Sequence, residues 1–528
     1  MEENKNKFVP DNKDMPFALL FILGTFISLA WGIWGGFRFG YAVSHVIALA
    51  IGTAYFVCRD KRITAYGLLC GIISLLLALP FAITSNAAVR ILSAFAGVLL
   101  EWVWFASLSG KAGFNGDLGL FGFFLGAFFY GIGDMPKSVK AAASAKTEKS
   151  KKTLKILAGV LCAVPVLAVV IPLLISSDVA FETLAMKILP DAAPLAAQII
   201  LTIIIAPFII GFAFSLKKRE KSAFESKSFK GFDTAFSASF FAAVSLCYIV
   251  YLFSQLAYFF SAFSGFLPPK FEFSYAEYAR RGFFELCAIA GINLVLIFFM
   301  IIFSKKKDGK IPAILKIFGC FIGAFTLLIS ATALSKMYLY IRNYGMTVLR
   351  LGTSVFMIIM ALTFIAVIIR LFNEKIKVLQ FALAVSGIAL VVLGTFNINS
   401  LVVKYNYDAY KSGRLKEIDI NYLYEIGEES VPYLYKLTDD KETEKNAEFA
   451  LWSICNEMFY VEFDEKTNKM TGIEKIKTEF YENNSASKRA YEIFDENFDE
   501  LFDGFLNDYE ALGTLFEQAW ENGEIEHN

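Results

Sequence analysis

The stretch MPFALLFILGTFISLAWGIW, residues 15–34, decides the class of this protein. It carries no charged side chain, and as a helix rising ~1.5 Å per residue it covers about 30 Å, the hydrocarbon thickness of a bilayer. The apolar core of a cleaved signal is shorter, and this run passes almost directly into another at 39–58, so it reads as a first membrane span.

Working outward, segments of the same kind recur at 64–83, 89–109, 155–175, 195–216, 233–257, 282–304, 313–333, 350–369 and 377–396. With 16–34 and 39–58 they predict eleven spans, because in lipid a backbone must satisfy its own amides and a helix of about 20 residues does so. A shorter segment, Leu118 to Gly133, holds Gly119, Gly122, Gly126, Gly131 and Gly133. It reads as a tightly packed twelfth span or as a re-entrant or interfacial helix. The fold class is therefore all-α, a polytopic helical membrane bundle with a small α-helical extramembrane domain at its C-terminus. Small residues spaced by four, such as Gly32/Gly36/Gly40, are read as ordinary close helix packing.

Composition agrees. Of 528 residues 56% are hydrophobic and only 19% charged, more apolar surface than one soluble core buries. The net charge of zero conceals a segregation: from Leu401 onward there are 30 Asp+Glu against 13 Lys+Arg, leaving 20 acidic and 37 basic residues before it. The expected domains are a polar tail 1–14, a transmembrane domain 15–397 and an acidic α-helical domain 398–528.

Charge also predicts orientation. Loops 134–155, 217–231, 305–316 and 370–377 carry 7, 6, 5 and 3 basic residues, against 1, 3 and 3 in loops 176–194, 258–281 and 334–350. The first set should be cytoplasmic, which places the C-terminal domain outside. Counting Arg59, Lys61 and Arg62 as cytoplasmic too leaves 118–133 as a non-spanning segment.

Little in the chain points to metal or nucleophilic chemistry. His45 and His527 are the only histidines, and Cys58, Cys70, Cys162, Cys247, Cys287, Cys320 and Cys455 form no CxxC motif. A histidine metal centre, a Ser/His/Asp triad and a disulfide framework are all disfavoured. No cofactor, metal or nucleic-acid partner is expected. Asp495, Asn497 and Asp499 alternate as in a calcium loop, but Glu500 and Leu506 occupy positions that need glycine and glutamate, so the stretch reads as the polar face of an amphipathic helix. Asn421 to Leu437, punctuated by Gly427 and Pro432, reads as a pair of short helices like one solenoid unit.

Ionisable residues at membrane depth are costly and mark candidate sites. Glu101, in LEWVW, is an isolated intramembrane carboxylate. The stretch 273–286 holds Tyr275, Glu277, Tyr278, Arg280, Arg281 and Glu285, and on a helix Glu277, Arg281 and Glu285 form an i, i+4 ladder of alternating charge. An aromatic and arginine anchor at the interface accounts for the same pattern. Tyr344, Thr347 and Arg350 in 337–350, and Gln255 at the end of the preceding helix, fall on the same outer rim by the topology above. These ten residues form the candidate polar-rim ligand site, and no catalytic residue is assigned.

The motifs YLFSQLAYFF (251–260), YAEYARRGFFEL (275–286) and MYLYIRNYGMTVLR (337–350), followed by DINYLYEIGEESVPYLYKL (419–437), resemble the bacterial multi-pass membrane proteins of the domain-of-unknown-function 4153/4173 type. The resemblance covers roughly Ile171 to Leu437. It implies a prokaryotic cell-membrane protein of the same organisation and carries over no catalytic residues.

Three functions remain open. One is transport or flipping of an anionic or amphipathic ligand, with Arg280, Arg281, Glu285 and Arg350 lining an outward-facing site. Another is an envelope signalling or scaffold protein whose acidic domain binds a protein partner. The last is a transferase on a lipid-linked substrate with Glu101 or Glu285 as general base, which ranks lowest because no nucleotide-phosphate motif accompanies either carboxylate. An enzyme is thus the less favoured class.

Overall fold

A computed structural model of the protein describes residues 14–57, 63–109, 192–218, 231–264, 283–306, 310–463, 470–475 and 484–502, with scattered positions between 119 and 174. Ten of the described helices are long and apolar enough to cross a membrane, and each falls on a predicted segment. The predicted segments 155–175 and 118–133 lie outside the described residues but for isolated positions. The outer faces are those of lipid-embedded helices: Phe95, Phe253 and Val295 are 67%, 72% and 66% exposed, an arrangement that only an apolar solvent tolerates on this scale. The protein is a polytopic helical membrane protein.

The chain divides into two compact units. The first comprises Met1–Ala82, Ile91–Lys227 and Phe480–Glu482. Its helix α1, Asp14–Ile27, continues into a π-helical turn, Ser28–Ile33. There follow α2 (Phe39–Val57), α3 (Ala65–Leu76), α4 (Leu79–Ile83), α5 (Ala87–Leu108) and α6 (Ala192–Lys218). Thr64 caps α3 by accepting from the Gly67 amide at 3.1 Å, as N-cap threonines do. Helix α3 stops at Leu76 because Pro80 has no amide hydrogen for that carbonyl, and α4 completes the span.

Close approach in this unit depends on missing side chains. A Cβ on Gly71 would lie 2.8 Å from Trp104 Cδ2, and one on Gly67 would overlap Ser107 Oγ and Cβ. Trp104 is oriented by its indole N–H, which donates to Thr53 Oγ1 at 2.9 Å. Ser107 is fully buried and its Oγ accepts from the Thr64 amide at 3.1 Å.

The second unit comprises Ile83–Arg90, Ser228–Glu479 and Asn483–Asn528. Helices α7 (Thr234–Ser264), α8 (Phe283–Phe303) and α10 (Val348–Phe372) pack around α9 (Ala313–Tyr344), and α11 (Val378–Thr395) packs on α10. The fully buried Asn293 ties three of them together: it accepts from Tyr248 Oη at 2.5 Å and donates to Thr326 Oγ1 at 2.8 Å. Such bridges between membrane helices contribute about 1 kcal/mol each.

After α11 the surface changes. Helices α12 (Ile398–Lys411), α13 (Ile420–Ile426), α14 (Val431–Leu437), α15 (Glu444–Met458) and α16 (Ser485–Phe502) enclose a core of Val402, Leu423, Leu434, Leu451 and Phe494. Among the described residues beyond Leu401 no large hydrophobic side chain is exposed. The 421–437 segment is the expected helix pair, turned at Gly427 with φ +78°. One feature is additional to the all-helical expectation: an antiparallel hairpin, β1 (Phe459–Phe463) with β2 (Met470–Lys475). Helix α16 departs from helical geometry at Asn497, whose side chain accepts from Tyr435 Oη at 3.3 Å.

Candidate functional site: an intramembrane cavity and a clasped pair of turns

Within the first unit, α1, the π-helical turn, α2, α5 and α6 surround a cavity of about 430 Å³. Each helix lends residues at three- and four-residue spacing: Phe21 and Thr25 from α1, followed by Ser28 at the start of the π-turn, Tyr41, Ser44, His45 and Ala48 from α2, Glu101 and Phe105 from α5, and Phe208 and Phe212 from α6. The π-turn holds an additional residue in its circuit, with Trp34 and Phe37 amides reaching back to the Leu29 and Gly32 carbonyls at 3.0 and 2.9 Å. Widened turns of this kind concentrate at functional sites.

Glu101 is 7% exposed and His45 6%. Asn86 starts the helix that carries Glu101, its Oδ1 accepting from the Val89 amide at 2.9 Å. Among the described residues Glu101 makes no side-chain hydrogen bond, and no lysine or arginine lines the cavity. His45 is better held: its Nε2 lies 2.9 Å from the Ser74 carbonyl and 3.2 Å from Ser74 Oγ. A carbonyl only accepts, so Nε2 carries the proton and Nδ1 of the neutral ring is an acceptor. Ser74 Oγ in turn donates to the Gly97 carbonyl at 3.1 Å. Gly97 lets the ring lie close: a Cβ there would stand 3.1 Å from His45 Cε1, and the ring would have to shift to admit it.

Sequence reasoning found Glu101 but not its setting. In the sequence His45 bears only on a metal centre or a triad, both of which it disfavours. The signal that could have found it is the one that found Glu101, an ionisable group deep in a span.

In the second unit the C-terminal helices hold two turns. The turn Thr84–Asn86, which precedes α5, is taken by the start of α12: Asn397 Oδ1 accepts from Thr84 Oγ1 at 3.0 Å, and Asn399 Oδ1 accepts from Asn86 Nδ2 at 2.9 Å. The buried Glu429 carboxylate accepts from the Ser85 amide at 2.8 Å and from the Ser85 hydroxyl. Asn397 adopts φ +50°, a left-handed conformation that asparagine tolerates better than most residues. The joint between α11 and α12 is thus tied to this turn through Asn397 and Asn399.

The second turn joins α9 to α10. Helix α9, with 32 residues, is about 48 Å long, so it outreaches a ~30 Å hydrocarbon core. At its end Asn406 pairs with Met346 as a strand would, Oδ1 accepting from the amide at 2.7 Å and Nδ2 donating to the carbonyl at 2.8 Å. Tyr422 Oη accepts from the Val348 amide at 2.7 Å. Gly345, φ +79°, has room for no Cβ, which would lie 2.9 Å from Asn406 Oδ1.

The rim residues sort as follows. Arg350 is engaged by the turn itself, donating to the Tyr344 and Gly345 carbonyls at 3.0 and 2.6 Å, with its guanidinium 3.9 Å from the Tyr340 ring centroid. Thr347 caps α10, accepting from the Arg350 amide at 3.2 Å. Tyr344 is exposed, and Glu285 is exposed in the first turn of α8. Gln255 sits on α7, its side chain outside the described residues, as are Tyr275, Glu277, Tyr278, Arg280 and Arg281.

The family model "Domain of unknown function (DUF4153)" matches residues 71–437, well over half of the chain. The chain belongs to the DUF4153 family. The DUF4153 match begins within α3 and ends with α14, so it contains Glu101, both clasped turns and the residues that clasp them. No curated protein and no solved structure matches the chain.

Proposed function

We propose that this DUF4153 protein takes an amphipathic ligand from the bilayer into the cavity between α1, α2, α5 and α6 and carries it across the membrane. The observation behind this is a buried carboxyl group, without a side-chain hydrogen bond among the described residues, on the wall of an otherwise largely aromatic and aliphatic chamber. Sites for small amphipathic molecules have this composition, mostly apolar with a few convergent polar groups. The cavity replaces the arginine rim as the preferred site because the Arg350 guanidinium already serves the Tyr344 and Gly345 carbonyls.

Ala48 lines the cavity, and Ala48→Trp would fill part of it. A photoreactive dodecanol bearing a diazirine should label peptides of α1, α2, α5 and α6 in the wild-type protein in nanodiscs, and an excess of plain dodecanol should suppress that labelling. Ala48→Trp should lose the suppressible fraction while keeping its melting temperature. Equal suppressible labelling in both proteins would refute the cavity as the site.

A second reading rests on the clasp: the acidic C-terminal body faces outward, binds an envelope protein and passes that event to the two turns it holds. Its orientation is testable at Lys488, whose side chain is 79% exposed. Lys488→Cys should react with an impermeant maleimide on intact cells. Cys455 should stay silent, because burial pushes its thiol up to about 12 and the thiolate is the reactive form. Labelling only after lysis would place this body in the cytoplasm.

A further inference from the structure

We infer that the ligand of the intramembrane cavity carries a hydrogen-bond-donating, cationic head on a hydrocarbon chain, with Glu101 as its acceptor; this rests on the cavity being a ligand site, as proposed above. The inference comes from which hydrogen-bonding capacity of the lining is already used. Thr25 Oγ1 donates to the Phe21 carbonyl at 2.7 Å, and Ser44 Oγ donates to the Tyr41 carbonyl at 3.0 Å. His45 has placed its N–H on the Ser74 carbonyl at 2.9 Å. What these three groups still offer is lone pairs, two hydroxyl oxygens and Nδ1. Glu101 adds acceptor oxygens and, when ionised, the charge. Donor capacity remains on Ser28, Tyr41 and Trp102 among the polar lining residues, and on Glu101 itself whenever its carboxyl is protonated.

Charge decides between the remaining classes of ligand. A carboxylate taken out of water without a counter-charge is costly, and no lysine or arginine among the described lining residues supplies one. An ammonium head brings both the counter-charge and several donors. Beside an ionised Glu101 an anionic head would add a second negative charge within the same low-dielectric chamber and meet mostly lone pairs. A neutral alcohol lies between, able to donate one hydrogen bond and unable to neutralise charge. The remaining walls, Phe21, Phe105, Phe208 and Phe212 among them, suit the chain and not the head.

The test uses three photoreactive probes of identical chain, a dodecylamine, a dodecanol and a dodecanoate, on the full-length protein in neutral-lipid nanodiscs at neutral pH. Each is read as half-saturation of the labelling that its unlabelled parent competes away. The amine should half-saturate at about tenfold lower concentration than the alcohol, as a charge-assisted bond predicts, and the carboxylate should show the weakest labelling. Glu101→Gln should abolish the preference for the amine and leave alcohol labelling in place, which also shows that the variant is folded. Equal labelling by all three probes, or an amine preference that survives Glu101→Gln, would overturn the assignment of the head group and leave the cavity itself standing. Absence of competable labelling by any of the three would instead overturn the ligand-site reading.

Discussion

Asn406→Ala should lower the stability of the C-terminal body's attachment by about 2–4 kcal/mol, since two hydrogen bonds are lost and the Met346 amide and carbonyl are left without them in a partly buried turn. Asn406 is the only side chain that addresses both backbone groups of Met346 among the described residues, and no water-sized adjustment of alanine replaces it. The predicted readout is limited proteolysis in detergent: the variant should release a fragment beginning near α12 faster than wild type, with the membrane-embedded fragment intact. Tyr422→Phe, which removes the acceptor for the Val348 amide, should act in the same direction by about 1 kcal/mol. The double variant should approach the sum only if the two contacts act independently. Wild-type proteolysis rates in Asn406→Ala would show that the turn is held by its apolar contacts, Met346, Val348 and Leu351 against the C-terminal core, and not by the amide clasp.

Gly67→Ala carries the other large expected effect, and its sign follows from two opposed magnitudes. Replacing glycine by alanine within a helix gains up to about 1 kcal/mol of propensity. Overpacking a tight contact costs about 1–3 kcal/mol. At Gly67 the new Cβ would overlap Ser107 Oγ and Cβ, atoms that cannot swing aside as the end of a long side chain would. Ser107 is also the partner of Thr64, through contacts at 3.1 and 2.9 Å, so separating α3 from α5 loosens the α3 cap as well. The variant should melt several degrees below wild type in a thermal unfolding assay, and Gly67→Ala with Ser107→Gly should recover part of the loss by moving the gap across the interface. A variant as stable as wild type would mean that the two helices separate at little cost.

Much of the architecture is legible in the sequence. The ten described spans lie where uncharged apolar runs of sufficient length occur, and the break after α11 coincides with the abrupt change in charge at about residue 400. The short helix pair at 421–437 was readable from Gly427 and Pro432. The hairpin of β1 and β2 was not, because FYVEF and MTGIEK lie between strong helical signals and are paired only through each other. Glu101 stood out as a carboxylate inside a span, yet its surroundings did not, since the lining comes from helices whose facing residues are set by how each is rotated about its axis. The motif 337–350 is distinctive in the sequence and reads there as part of a ligand rim; what the sequence does not show is that its described part is a turn closed by Arg350 and held by Asn406 and Tyr422.

By itself, the run at 15–34 and its repeats determined that this chain lives in a bilayer, because satisfying backbone amides in hydrocarbon leaves a helix as the one available form for such a segment. The same physics made every intramembrane ionisable group notable. Only the tertiary structure decided what those groups face. Hydrophobicity places a helix in the membrane but exerts little force between helices there, so which side of α2 and α5 turns inward is settled by small residues such as Gly97 and by bonds such as His45 to Ser74. Those contacts join residues far apart in the chain, and it is they that bring Glu101 and His45 to one cavity.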